Sequence, residues 1–299
     1  MIRVAMSGED EATCREISLR LRGAVVVPCD ATGDGHAPTT ACDAVAFVGM
    51  KTPDADEVER SLVAGKHVLL ATDARPLRDR MELLARTARQ AGAQLSVVNP
   101  DHALPSRQLV RQQIASGKLG EVGLVRIHRW EPSVTEGVLN RGSLPGPLVR
   151  DLELAQWLFD KSPDVVYAVK QNANEQAAES SDLAQVHLGF AGGGMALITY
   201  SNRLPPGDGY QSLSVIGSSG AAYADDHQDR QLVFAGGPPQ AVRGGEGITL
   251  APVIQEFVDA LRDQHDLSAS LSAWTRVWDV ADAVQRSLES GQAIHREAH

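Results

Sequence analysis

What most constrains this chain is an alternation in its first 120 residues. Short apolar runs, "IRVAM", "AVVVPCD", "AVAFVG", "HVLLAT" and "QLSVVN", exchange with helical patterns. Cys14, Ile17 and Leu21 recur at helical spacing after the first run, and further helices are expected from about Asp54 to Ala64 and Leu77 to Gln90. Runs that are apolar on both faces, separated by helices, indicate a parallel sheet covered on both sides. This is the pattern of a doubly wound, Rossmann-type α/β domain. "PSRQLVRQQIASGKLG" adds a helix that stops at Gly117 to Gly120.

Past Gly120 the period changes. "VGLVRIHRW" places Val122, Leu124, Arg126 and His128 on one face of a strand. In "LAQVHLGF", Ala184, Val186, Leu188 and Phe190 face one way, and Gln185 and His187 the other. Such alternation marks an antiparallel sheet with one covered face. "VVYAVKQ", "MALITYSN", "QSLSVIGS" and "AAYAD" read as its other strands, and "AGGG" and "GSSG" suit hairpin turns. The helix "LVRDLELAQWLFD" interrupts this series, and two helices close it, "APVIQEFVDALRD" and "AWTRVWDVADAVQRSLESG". The expected plan is a dinucleotide-type domain over 1–120 and an α+β domain with a large, mostly antiparallel sheet over 121–299.

Composition excludes several classes of function. The 299 residues carry a formal charge of −10 with no Lys/Arg block, which argues against nucleic acid or an anionic membrane as partner. No apolar run approaches the roughly 20 residues of a membrane span. The opening "MIRVAMSGED" turns acidic too early for a signal peptide. Cys14, Cys29 and Cys42 lack metal spacing and read as reduced thiols in a cytoplasmic protein. No His/Cys pattern suggests zinc, and no metal is expected.

The turn after the first strand should carry the phosphate loop. The dinucleotide fingerprint G-x-G-x-x-G lets the backbone approach a pyrophosphate seated on a helix N-terminus. Here its register reads Gly8, Asp10, Thr13, so only Gly8 is kept, and Glu9, Asp10 and Glu11 stand where the anion would lie. At about 5 Å and an effective dielectric near 20, each unscreened like-charge pair costs roughly 3 kcal/mol. The helix-end attraction is about 0.3–1 kcal/mol. On this reading the chain's own acids occupy the anion site, with Ser7 as the helix cap. Asp30, at the end of the second strand, either hydrogen-bonds an adenosine ribose or closes an Asx turn.

Several segments resemble the Gfo/Idh/MocA oxidoreductases, the glucose–fructose oxidoreductase and inositol dehydrogenase family. They are "GKHVLLAT", "IASGKLGEVGLVRIH", "LELAQWLFD", "HLGFAGGGMALITYS", "LSVIGSSGAAYADD", "EFVDAL" and "DVADAVQRSLESGQAI". The resemblance covers nearly the whole chain in order. It implies an NAD(P)-dependent dehydrogenase of sugar- or cyclitol-type alcohols, with NAD or NADP as cofactor and a small molecule bound in an interdomain cleft. It also implies a homo-oligomer formed through the uncovered face of the second sheet.

The same resemblance locates the reacting groups, and each is altered. The family's Glu-Lys-Pro motif places a lysine beside nicotinamide and substrate hydroxyl. An ungapped reading from Gly65 to Gly92 gives Ala71, Thr72 and Asp73 there, and a shifted one recruits Arg75-Pro76. Arginine stays protonated and makes a poor acid/base group. The family's aspartate and histidine, four residues apart, become Gly146 and Arg150, and the motif's last aspartate becomes Glu153. Arg150 either pairs with Asp151 or Glu153, or clamps an anion with Arg141 or Arg129. Asp54 stands at a family histidine position. Asn99 and Pro105 agree with the family's Asn-x-Arg-Phe-x-Pro stretch and mark Asn99 as a cofactor contact. His102 is the remaining titrating candidate beside it. "DDH" at Asp225–His227 reads as a loop or hairpin tip, and Trp274 and Trp278 as packing residues. With lysine, aspartate and histidine all replaced, the expectation is a family scaffold with impaired hydride transfer. The alternative is a non-catalytic small-molecule-binding or assembly protein.

Overall fold

A computed structural model of the chain describes residues 1–7, 11–28, 42–49, 52–132, 144–171, 183–206, 208–227, 230–234, 240–243 and 246–296. The chain divides into two units, 1–103 with 245–275, and 104–244 with 276–299.

The first unit is built on a five-stranded parallel sheet. Its strands are β1 (Ile2–Ser7), β2 (Ala24–Pro28), β3 (Ala44–Val48), β4 (His67–Ala71) and β5 (Leu95–Val97), in the order β2-β1-β3-β4-β5. Val4 pairs with Val26 on one side and Ala44 on the other, and Leu70 with Val97. Every residue of β3 is buried, as expected for a strand covered on both faces. Helices α1 (Glu11–Ser18), α2 (Ala55–Val63) and α3 (Met81–Ala91) bury one stripe each, in α3 Met81, Leu84 and Ala88. Gly92 ends α3 in the left-handed conformation, φ 65°, which a glycine adopts without a Cβ penalty.

The second unit opens with α4 (Pro105–Ala115) and β6 (Val122–Pro132). There follow α5 (Gly146–Phe159), β7 (Val165–Lys170), β8 (Leu183–Gly189), β9 (Met195–Leu204), β10 (Tyr210–Gly217), β11 (Ala221–His227), β12 (Arg230–Phe234) and β13 (Gln240–Arg243). The chain then supplies α6 (Glu246–Arg262), α7 (Ser268–Ser290) and β14 (Ile294–His295). The sheet has nine strands in the order β13-β12-β11-β10-β6-β9-β8-β7-β14. All its pairings are antiparallel except β6 with β9.

Alternation sorts the side chains as the sequence implied. Val125, Ile127 and Arg129 of β6 are buried on the face covered by α4 and α5, together with Ala184, Val186 and Leu188 of β8. Arg126, His128 and Trp130 lie on the opposite face. Hairpins form at 191–194 and 217–220. Gly217 is required in the second, because a Cβ there would lie 2.1 Å from the Leu119 carbonyl oxygen. Trp274 and Trp278 are buried, as packing residues are.

Two readings needed correction. Asp225–His227 is not a loop tip, for β11 runs through it. An exposed acid sits comfortably there, because strand pairing engages the backbone and leaves the side chain to solvent. β12 and β13, which extend the sheet, were not read from the sequence. Helix α6 also begins at Glu246, earlier than expected, and carries Pro252 within it. Far along the chain from β1, it completes the first unit's core, where Ile254, Phe257 and Val258 pack with Val4, Ile17 and Val26.

No helix among the described residues is long and apolar enough to cross a membrane. Cys14 and Cys42 are free. Cys29 lies outside the described residues.

Candidate functional site

In a doubly wound sheet, ligands lie outside the carboxyl ends of the strands, where the strand order reverses. In this sheet the reversal falls between β1 and β3. Gly8 follows β1 at that point, but Gly8 and Asp30 both lie outside the described residues. The described positions at this edge are Ser7, Gly49, Thr72 and Asn99.

Glu11 opens α1, a carboxylate in the first turn of the helix that would face a pyrophosphate. Its Oε1 accepts from Arg15 Nη2 at 3.0 Å, and both side chains are 74% exposed. Solvent and Arg15 therefore screen this acid, and its repulsion is weaker than that of a bare carboxylate. Ser7 ends β1 four residues before the helix begins, so it does not occupy the position preceding Glu11 and is not the cap.

Thr72 follows β4 directly and is buried, 1% exposed. Its hydroxyl donates to the Gly49 carbonyl at 2.9 Å, tying the ends of β4 and β3. Asp73 Oδ1 accepts from the Arg75 backbone N–H at 3.0 Å and starts a 3-10 turn over Arg75–Arg80. The Asp73 carbonyl accepts from the Thr52 hydroxyl at 3.0 Å. The segment standing at the family's Glu-Lys-Pro motif is thus held by its own polar groups. Asp54 serves as the N-cap of α2, accepting from the Asp56 N–H at 3.4 Å.

Asn99 lies two residues beyond β5, and the Leu70↔Val97 register brings it alongside Thr72. Buried, it accepts the Asp101 N–H on Oδ1 at 3.1 Å, and its carbonyl accepts the His102 N–H at 3.2 Å. These bonds fold the turn at Pro100–Ala103, which carries His102, half-buried. The first unit thereby brings Thr72, Asn99 and His102 to one edge.

Gly146 and Arg150 open α5 in the second unit, one helical turn apart and so on one face. Gly146 offers no side chain, and Arg150 is half-buried. Arg129 is not available as an anion clamp. Its Nε and Nη2 donate to Asp151 Oδ2 and Oδ1 at 2.8 and 2.7 Å, with the carboxylate fully buried. Asp151 is therefore fixed by Arg129. Arg141 lies outside the described residues. The Arg129–Asp151 pair was missed in the sequence, although a signal existed: alternation put an arginine on the same face as Val125 and Ile127. A charge at such a position needs a partner.

Among the described residues no group of three or more His, Cys, Asp or Glu side chains could hold a metal ion.

The fold and this strand-end edge define the class: a two-unit α/β protein of the dehydrogenase type. Residues 107–223 match the GFO/IDH/MocA C-terminal domain. The chain is 24% identical over 273 residues to inositol 2-dehydrogenase of Rhizobium meliloti (strain 1021), covering 84% of this chain and 80% of that protein. A probable dehydrogenase from Thermotoga maritima superposes with TM-score 0.77 at 16% identity over 98% of each chain. An oxidoreductase from Agrobacterium radiobacter, solved in complex with NAD+, L-tartaric acid and magnesium, gives TM-score 0.73 at 13% identity over 98% of each chain. The chain belongs to the Gfo/Idh/MocA oxidoreductase family.

Proposed function

We propose that this chain derives from an NAD(P)-dependent dehydrogenase of sugar- or cyclitol-type alcohols and that its hydride transfer is impaired. The observation that carries this reading is Thr72. It stands at the family's lysine position, buried, with its hydroxyl donated to Gly49. A hydroxyl so engaged, with a pKa far above neutrality, does not exchange protons with a substrate alcohol. Gly146 has no group to replace the aspartate, and Arg150 does not titrate near neutral pH as a histidine does. The similarity to inositol 2-dehydrogenase supports the substrate class.

The described residues do not fit a tightly held dinucleotide. Glu11 puts a carboxylate in the turn that would receive the pyrophosphate, and no described residue at this edge replaces the lost glycines. We therefore derive no step through NAD or NADP. Titration of the purified protein with NADH and with NADPH, followed by nicotinamide fluorescence, tests this. The expected result is no saturation in the micromolar range, and micromolar binding of either would refute it. Slow or absent reduction of NAD+ or NADP+ with myo-inositol and with hexoses tests the chemistry, and rapid turnover sinks the proposal.

The alternative is an assembly or small-molecule-binding protein on the same scaffold. The open face of the second unit's sheet favours it. Of the nine exposed large hydrophobics among the described residues, six lie there: Trp130, Tyr167, Val169, Met195, Ile216 and Tyr223. Clustered apolar exposure of this kind marks an interaction surface. We propose a homo-oligomer paired through this face, in the cytoplasm, where free thiols such as Cys14 are kept. Light scattering that finds only monomer at neutral pH refutes the pairing.

A further inference from the structure

His128 stands in the middle of that open face. Register places Thr199 of β9 and Ser212 of β10 beside it, Arg126 and Trp130 two residues away on its own strand, and Tyr210 diagonally across. The Trp130 ring meets it edge-on at 6.0 Å, and Tyr210 tilts against Trp130 at 5.0 Å. Tyr210 donates its hydroxyl to Asp225 at 3.1 Å. The charged or titrating groups around His128 are therefore Arg126, Asp225 and Tyr210. The β9 side offers Leu197, Thr199 and Ser201, none of which titrates. His187 lies further out on β8, and His227 stands at the register position opposite Tyr210.

The hydrogen bonding of the imidazole is half complete. Arg126 Nη2 lies 3.4 Å from Nε2, and a guanidinium can only donate, so Nε2 is the acceptor. The proton of the neutral ring then sits on Nδ1. That atom is buried and has no hydrogen-bond partner among the described residues. A buried donor left unmade is costly. Burial first, and then the Arg126 cation, lower the imidazole below its ordinary value, against the pull of Asp225.

The open face suits a second copy of the chain. It carries both signs of charge, Arg126 and Asp225, so a twofold partner presents the opposite charge to each. Six of its strands, β11-β10-β6-β9-β8-β7, at about 4.8 Å spacing and about seven residues each, give a footprint on the order of 700 Å². That approaches the roughly 800 Å² per partner of a stable interface.

We infer that His128 gates this pairing by pH: the neutral ring donates Nδ1–H to an acceptor on the facing copy, and its protonation releases the pair. This rests on the homo-oligomer reading above. A protonated His128 sets a second cation beside Arg126 in the middle of an apolar surface, and the pair must then bury both. One unit of pKa difference between free and paired states is tenfold in affinity for each histidine, and a twofold pair holds two.

The test is sedentation-independent of any ligand: light scattering across a dilution series of the full chain at pH 7.5 and pH 5.5. The expected wild-type result is at least tenfold weaker association at the lower pH. His128→Asn, whose amide N–H stands in for Nδ1–H, is expected to associate equally at both. His187→Asn and His227→Asn are expected to keep the pH dependence. A dimer that ignores pH in the wild type, or a gate that survives in His128→Asn, overturns the inference and leaves the pairing standing. A monomer at both pH values overturns both.

Discussion

Arg129 and Asp151 form a two-pronged ion pair, at 2.8 and 2.7 Å, in a place that solvent does not reach. It ties the first turns of α5, which carry Gly146 and Arg150, to β6. Glu131 adds a weaker contact to Arg129 at 3.8 Å. Removing one partner strands the other charge, which costs about 3–5 kcal/mol, whereas a well-packed apolar replacement of both is often neutral. Arg129→Met should therefore lower the urea midpoint sharply, and Arg129→Met with Asp151→Leu should recover most of the loss. Equal losses in the single and double variants would show that the pair is not the source.

His67 makes stability depend on pH. Its Nδ1 accepts the Gln94 backbone N–H at 3.0 Å, which only the unprotonated nitrogen can do. Burial lowers its pKa below the ordinary 6.5, with Asp43 pulling the other way. The unfolded chain thus takes up a proton at a pH where the folded one does not. The contribution is complete above about pH 6.5 and is lost as pH falls towards the folded pKa. Urea midpoints measured from pH 7.5 to 5 should decline for the wild type. His67→Asn, which keeps an acceptor but does not titrate, should decline less. Parallel curves would exclude His67 as the cause.

The fold was legible because period and burial are local. Ala44–Val48 could only be a doubly covered strand, and Gln185 and His187 could only share an open face. The destination of an amphipathic helix is not local. The stripe Ile254, Phe257, Val258 declares a buried side but not that β1 and β2 lie behind it. β12 and β13 escaped for a different reason: short polar strands pair through the backbone, and their sequence carries little alternation. At the site, resemblance located Thr72, Gly146 and Arg150, and the residue types showed what was missing. The bonds that now hold those segments, Thr72 to Gly49 and Asp73 to Arg75, join groups whose pairing no spacing rule specifies.

Thr72→Val separates a structural threonine from a chemical one. It removes the donor to the Gly49 carbonyl while keeping the shape, and should cost about 1–2 kcal/mol. Any NAD(P)-linked turnover of the wild type should stay within about twofold, because the hydroxyl is not exchanging protons. General acid/base groups contribute about 10²–10⁴-fold, so a loss of that size in kcat without a change in fold would make Thr72 the reacting group after all.

Ser287 holds the far edge of the second unit's sheet. It is fully buried on α7, accepts the Ala168 N–H at 2.9 Å and donates to the Gln292 carbonyl at 2.6 Å. β14 pairs with β7 only at Val165 and Val166, so the Ala168 N–H lies past the end of that strand and needs another acceptor. Ser287 supplies it and at the same time fixes the turn that leads into β14. Ser287→Ala leaves a buried N–H and a carbonyl without partners, at a cost of about 1–3 kcal/mol. Hydrogen exchange should accelerate first at Ala168 and at Arg296, whose N–H donates to the Asp164 carbonyl at 2.8 Å, while β8 and β9 keep their protection. Uniform acceleration across the sheet would instead mean that Ser287 supports the whole unit rather than its edge.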